Sequence, residues 1–140
     1  MALKILKITD GKAGHITVTD GVIEAISKHY QVEISELNVN LRVKFFLVVL
    51  KFIFNSDQLS KVISRSDCLI PLLYKNYEKP IQQVDLIISS GGDTSFINLW
   101  LSNLLGVPNI YCSGLRGIRP ERFSLLVGTL DLGLTNSITL

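Results

Sequence analysis

The chain holds only two histidines, and His15 closes the stretch TDGKAGH at residues 9–15, behind Asp10, Gly11, Lys12 and Gly14. An imidazole titrates near neutral pH, so His15 has the side chain of a general base that takes a proton from a hydroxyl. A lone histidine beside a loop is as readily a structural residue, and both readings stand at this level. Gly11 and Gly14 permit close backbone approach, the amides opening a following helix attract an anion, and Lys12 adds a mobile cation. Neither GxGxxG nor GxxxxGK[ST] spacing is present, so the turn is equally a tight corner. His29, at the end of a predicted helix, reads as a solvated residue.

Two further turns carry polar groups. In SSGGDTS (89–95), Gly91 and Gly92 clear space before another helix start, while Asp93 and Thr94 are explained most simply as its caps. GLRGIRP (114–120) offers Arg116 and Arg119, whose forked guanidinium groups suit phosphate. Cys68 and Cys112 fit no CxxC or Cys/His ligand spacing, so neither a metal nor a cofactor is expected, and both thiols should stay reduced.

These residues need elements to position them. With 140 residues, 47% hydrophobic and 19% charged, the chain reads as one globular domain over 1–140. A net charge of +2, dispersed along the chain, makes no case for nucleic acid as a partner. The N-terminus reaches Asp10 too soon for a signal peptide, and no apolar run is long enough to span a bilayer. Apolar or alternating runs predict strands at 3–9, 31–37, 84–90, 109–112 and 123–129. Helices are expected at 16–29, 43–54, 57–77 (ended or kinked by Pro71) and 95–105, the last stopped by Gly106 and Pro108. Beyond Leu130 no further element is expected.

Strands alternating with helices predict an α/β fold, a Rossmann-like doubly wound parallel sheet with helices on both faces. In such a sheet the turns at 10–15, 90–95 and 113–120 share one rim, and Gly11, Gly14, Gly91 and Gly92 should converge on one cleft. The segment 43–54 stands apart. It is either a helix buried in the domain or one lying on a membrane or partner through Phe45, Phe46, Val49, Phe52 and Ile53, with Lys44 and Lys51 alongside.

The strand before TDGKAGH, then VDLIISSGGDTS and RPERFSLLVG, together resemble the N-terminal half of the mitochondrial-fission (elongated-mitochondria) protein family, whose many bacterial members are classed as glycosyltransferases of the GT-B fold. DGKAGH is the most specific piece. The chain departs from the family's pattern in lacking a glutamine over 16–20 and in having Gly92 and Asp93 where arginines are common. The resemblance implies an acceptor-side domain, inactive alone, whose second half is supplied elsewhere, as after gene truncation or in a two-chain enzyme. It implies transfer from a nucleotide sugar to a sugar or lipid-linked acceptor, in the cytoplasm or peripherally on the inner face of the membrane. His15 would then be the catalytic base. Asp10, Gly11, Lys12, Gly14, Gly91, Gly92, Asp93 and Thr94 would frame the substrate cleft, with Arg116 and Arg119 near its phosphates. The rival expectations are a non-catalytic domain of the same fold docking through 43–54, and a free-standing phosphate-binding enzyme, which the missing fingerprints disfavour.

Overall fold

The computed structural model describes residues 1–80, 83–128 and 133–139. In chain order these form β1 (Leu3–Thr9), α1 (Ala13–Ser27), β2 (Val32–Asn38), β3 (Asn40–Leu41), α2 (Phe46–Asn55) and α3 (Asp57–Ile63). There follow α4 (Ile70–Leu73), β4 (Tyr74–Lys75), β5 (Leu86–Ser89), α5 (Ser95–Leu105), β6 (Asn109–Tyr111), β7 (Leu125–Gly128) and β8 (Ser137–Thr139). Six strands make one parallel sheet in the order β2-β1-β5-β6-β7-β8, while β3 and β4 pair antiparallel beside it.

Alternation along the strands supplies two cores. Leu6, Ile8 and Ile87 point to one face, where they meet Leu50 and Phe54 of α2 and Phe96, Ile97 and Trp100 of α5. Ile5, Ile88 and Ile110 point to the other face, where α1 contributes Ile23 with Val18, Val22 and Ile26 around it. Helices therefore cover both faces, as expected of a doubly wound sheet. Lys7 is buried in β1, and its ammonium reaches Asp20 of α1 at 2.7 Å and Glu36 of β2 at 3.2 Å. Burial acts to lower its pKa, but the two carboxylates outweigh that and hold it above the usual value.

Several boundaries differ from expectation. Helix α1 starts at Ala13 rather than 16, which puts His15 inside its first turn. The helix expected over 57–77 is two helices, and Pro71 sits at the start of α4, where its missing N–H costs no helical bond. Trp100 Nε1 donates to Ser66 O at 2.9 Å, fixing the connection between them. Neither Asp93 nor Thr94 accepts a hydrogen bond from the α5 amides; 92–94 form a turn of 3₁₀ helix instead. β8 is a strand where none was expected, and Thr129, expected as the last residue of the strand before it, lies outside the described residues.

Helix α2 has one flank on the core and one in solvent, so Phe46 and Ile53, expected on an outward docking face, are turned towards the core instead. Leu50 and Phe54 are in the core, with Phe46, Leu47 and Ile53 half-buried against it. The other flank is open to solvent: Phe45, Val48 and Phe52 are 67, 65 and 72% exposed. Among the described residues no helix is long and apolar enough to cross a membrane.

Candidate functional site

From β1 the chain runs outward to β2, then returns past β1 to β5, so the strand order reverses between β1 and β5. In an open parallel sheet the carboxyl ends of the strands at such a reversal leave a crevice. The turns after β1 and β5 flank that crevice, as the shared-rim expectation requires.

Asp10 leaves the end of β1 with its carboxylate fully buried and paired. His15 Nδ1 lies 3.0 and 2.9 Å from the two carboxylate oxygens. The Lys12 amide donates to Oδ1 at 3.2 Å, and Lys12 Nζ is 3.3 Å from Oδ2. Burial alone would raise the Asp10 pKa, but the His15 hydrogen bond and the Lys12 contacts hold it below the usual carboxylate value. An ionised Asp10 accepts a proton-bearing nitrogen, so the neutral His15 ring carries its proton on Nδ1 and leaves the lone pair on Nε2. The imidazole is 31% exposed, open enough to meet a ligand. A buried carboxylate that sets the tautomer and orientation of a histidine is the arrangement found in Ser-His-Asp triads, where the histidine takes a hydroxyl proton.

Gly91 completes this corner. Its φ of 98° lies in a region that side chains rarely adopt, and a Cβ there would overlap the His15 ring at Nδ1 and Cε1 and lie 3.1 Å from Asp10 Oδ2. The close approach of the β5 turn to the His15–Asp10 pair thus depends on glycine. Gly11, with φ of 79°, is the other glycine the conformation requires. Gly14 is not one, since it lies in α1 with open space where a Cβ would stand. The pair also anchors α1, whose Thr19 Oγ1 donates back to His15 O at 3.1 Å.

The remaining expected site residues divide. Thr94 is buried, and its hydroxyl proton is shared between Ser90 O at 3.0 Å and Gly91 O at 2.9 Å, which shapes the turn. Asp93 lies beside it, half-exposed. Arg116 folds over Gly92, where a Cβ would come within 2.9 Å of Nη1. Arg119 points elsewhere: it is ion-paired with Asp57 at 3.8 Å and Glu121 at 3.7 Å, and Nη1 donates to Asn55 O. Its role is to staple the 113–122 segment to the end of α2, so it does not join Arg116 at the cleft. The cation that does is Lys51 of α2, which together with Arg116, Gly92, Ser95 and Tyr111 lines a cavity of about 250 Å³. In the sequence Lys51 was visible only as one of two lysines on an apolar helix.

Among the described residues no group of three or more His, Cys, Asp or Glu is assembled that could hold a metal. No family model matches the chain, and no curated protein or solved structure matches it either.

Proposed function

We propose that this chain is the acceptor-side domain of a glycosyltransferase of the GT-B type, using a nucleotide sugar, with His15 as the base that deprotonates the acceptor hydroxyl. The observation that carries the reading is the His15–Asp10 pair, held against Gly91 at the reversal point of the sheet. The resemblance of DGKAGH and SSGGDTS to the mitochondrial-fission family supplies the reaction class, and the family's second half would bring the donor. In the proposed step the acceptor oxygen attacks the anomeric carbon as the bond to the nucleotide phosphate breaks. The proton passes to His15 Nε2, and Asp10 stabilises the imidazolium that forms. The test is sugar transfer with a panel of nucleotide sugars and of sugar and lipid acceptors, followed by mass spectrometry in the presence of the donor-side half. His15→Ala and Asp10→Asn should each lower turnover about 10²- to 10⁴-fold. Full turnover in His15→Ala would remove the base assignment.

A second reading is favoured by the open flank of α2. Phe45, Val48, Val49 and Phe52 are exposed on one helix beside Lys44 and Lys51, a pattern suited to a membrane surface. On this reading the domain is a peripheral binding module with no chemistry of its own. Co-sedimentation with anionic vesicles tests it: the native chain should pellet, and the Phe45→Glu, Phe52→Glu double variant should stay in solution. Equal behaviour of the two would overturn it.

A further inference from the structure

The cavity between α2 and the 113–118 segment lies on the Gly92 side of the β5 turn, whereas His15 lies against Gly91. Its walls are Leu47, Val48, Phe96, Leu115 and Ile118, and among the described residues its lining carries the cations Lys51 and Arg116 and no carboxylate. Among the described residues neither cation has an ion-pair partner, although Arg119 and Arg122 on the same segment both find Asp57. Two like charges brought to one small apolar cavity repel each other, and the repulsion is relieved when an anion joins them.

The chain holds this arrangement at some cost. Among the described residues Arg116 is one of two other than glycine with positive φ, at 47°, a left-handed conformation that disfavours a side chain. Lys51 lies over Gly117, where a Cβ would overlap Nζ and Cε. The two walls are locked together at Asn55, whose side chain donates to Gly117 O at 2.9 Å and accepts from the Arg119 amide at 2.9 Å. Gly92 and Ser95 bring the start of α5, an eleven-residue helix with its N-terminal partial positive charge, to the same cavity. Burial pushes the Tyr111 phenol up, so its hydroxyl stays neutral, and it donates to Gly114 O at 3.5 Å.

We propose that this cavity binds a phosphate monoester carried on an aliphatic group, with Arg116 and Lys51 holding the phosphoryl oxygens and Leu47, Val48, Leu115 and Ile118 packing the first carbons of the chain. The forked guanidinium and the point charge of the ammonium divide the phosphoryl oxygens between them. The apolar walls favour an aliphatic carrier over a nucleoside, because among the described residues the only uncharged polar side chains lining the cavity are Ser95 and Tyr111. The inference deepens the glycosyl-transfer reading by naming the class of its lipid-linked acceptor and rests on that reading, while its cations and the His15–Asp10 pair use different glycines of the turn.

The experiment is titration calorimetry of the chain with farnesyl phosphate, farnesol, inorganic phosphate and uridine monophosphate. Farnesyl phosphate should bind most tightly of the four. Lys51→Met and Arg116→Gln, both at exposed positions, should each weaken it about 10- to 100-fold, the loss of a charge-assisted contact. Lys28→Gln, at an exposed position away from the cavity, should bind it as the native chain does, and because the readout is binding rather than turnover, failure of the base assignment and failure of this site are read separately. Absence of binding, native affinity in either cation variant, farnesol binding as well as its phosphate, or preference for inorganic phosphate or the nucleotide would each overturn the proposal.

Discussion

Replacing Gly91 by alanine tests the geometry of the candidate site more directly than removing a catalytic group. The native φ of 98° with ψ of 145° belongs almost exclusively to glycine, and holding alanine there costs about 1–3 kcal/mol. The new methyl group would also overlap the His15 ring and press on Asp10 Oδ2 at 3.1 Å. His15 must then swing away and lose its hydrogen bond to an ionised carboxylate, about 1.5–3 kcal/mol more. The sum, about 2.5–6 kcal/mol, is a large share of the roughly 5–15 kcal/mol that stabilises a typical domain. Urea unfolding followed by circular dichroism should show this loss. In a His15→Ala background the ring is gone, and the same substitution should cost only the backbone strain. The difference between backgrounds is the coupling energy, expected to be about 1.5 kcal/mol or more. A Gly91→Ala loss below about 1 kcal/mol, or an equal loss in both backgrounds, would refute the packing of Gly91 on the His15–Asp10 pair.

Two further outcomes are expected. The Asp10 carboxyl has its folded pKa depressed below the ordinary 3.8, so the stability it contributes is fully present above that value and is lost as pH falls through the folded one. Unfolding curves between pH 6 and 2, a range of roughly four units around that titration, should therefore show a loss in the native chain that is reduced in Asp10→Asn. Cys112 is buried and its thiol is pushed up to about 12, while Cys68 is exposed. Iodoacetamide at mildly alkaline pH should label Cys68 alone in the folded chain and both thiols in urea, as intact-mass spectrometry would show.

The α/β fold was legible because its signals are local. Apolar runs such as LKILKI and DLIIS, each ending in a glycine-bearing polar turn, specify strands buried on both faces and hence a parallel sheet. Parallel pairing places the turns after β1, β5 and β6 on one rim without further information. Element ends were less legible. The start of α1 at Ala13 is promoted by Asp10 accepting the Lys12 amide, a contact that hydrophobic periodicity does not register. Pro71 is compatible with either end of a helix, and only the packing around the 64–69 connection made it a beginning.

His15 and Asp10, close in sequence, could be named as candidates from residue type and spacing alone. That they form a pair depends on β1 ending at Thr9 and α1 turning back at once, and that Gly91 closes over them depends on β5 lying beside β1. Both are consequences of strand order, which no local pattern encodes. The same holds for the cations. Arg116 and Arg119 are equivalent as sequence, yet Asp57 and Asn55 capture Arg119 and leave Arg116 facing the cavity. Lys51 joins Arg116 because α2 crosses the rim with that flank inward, while Phe45 and Phe52 face solvent. Residue chemistry and local periodicity are properties of neighbours in the chain, so the sequence by itself determined the fold class and the candidate groups. Which groups meet is decided by contacts between distant segments, and those exist only once the helices have packed on the sheet.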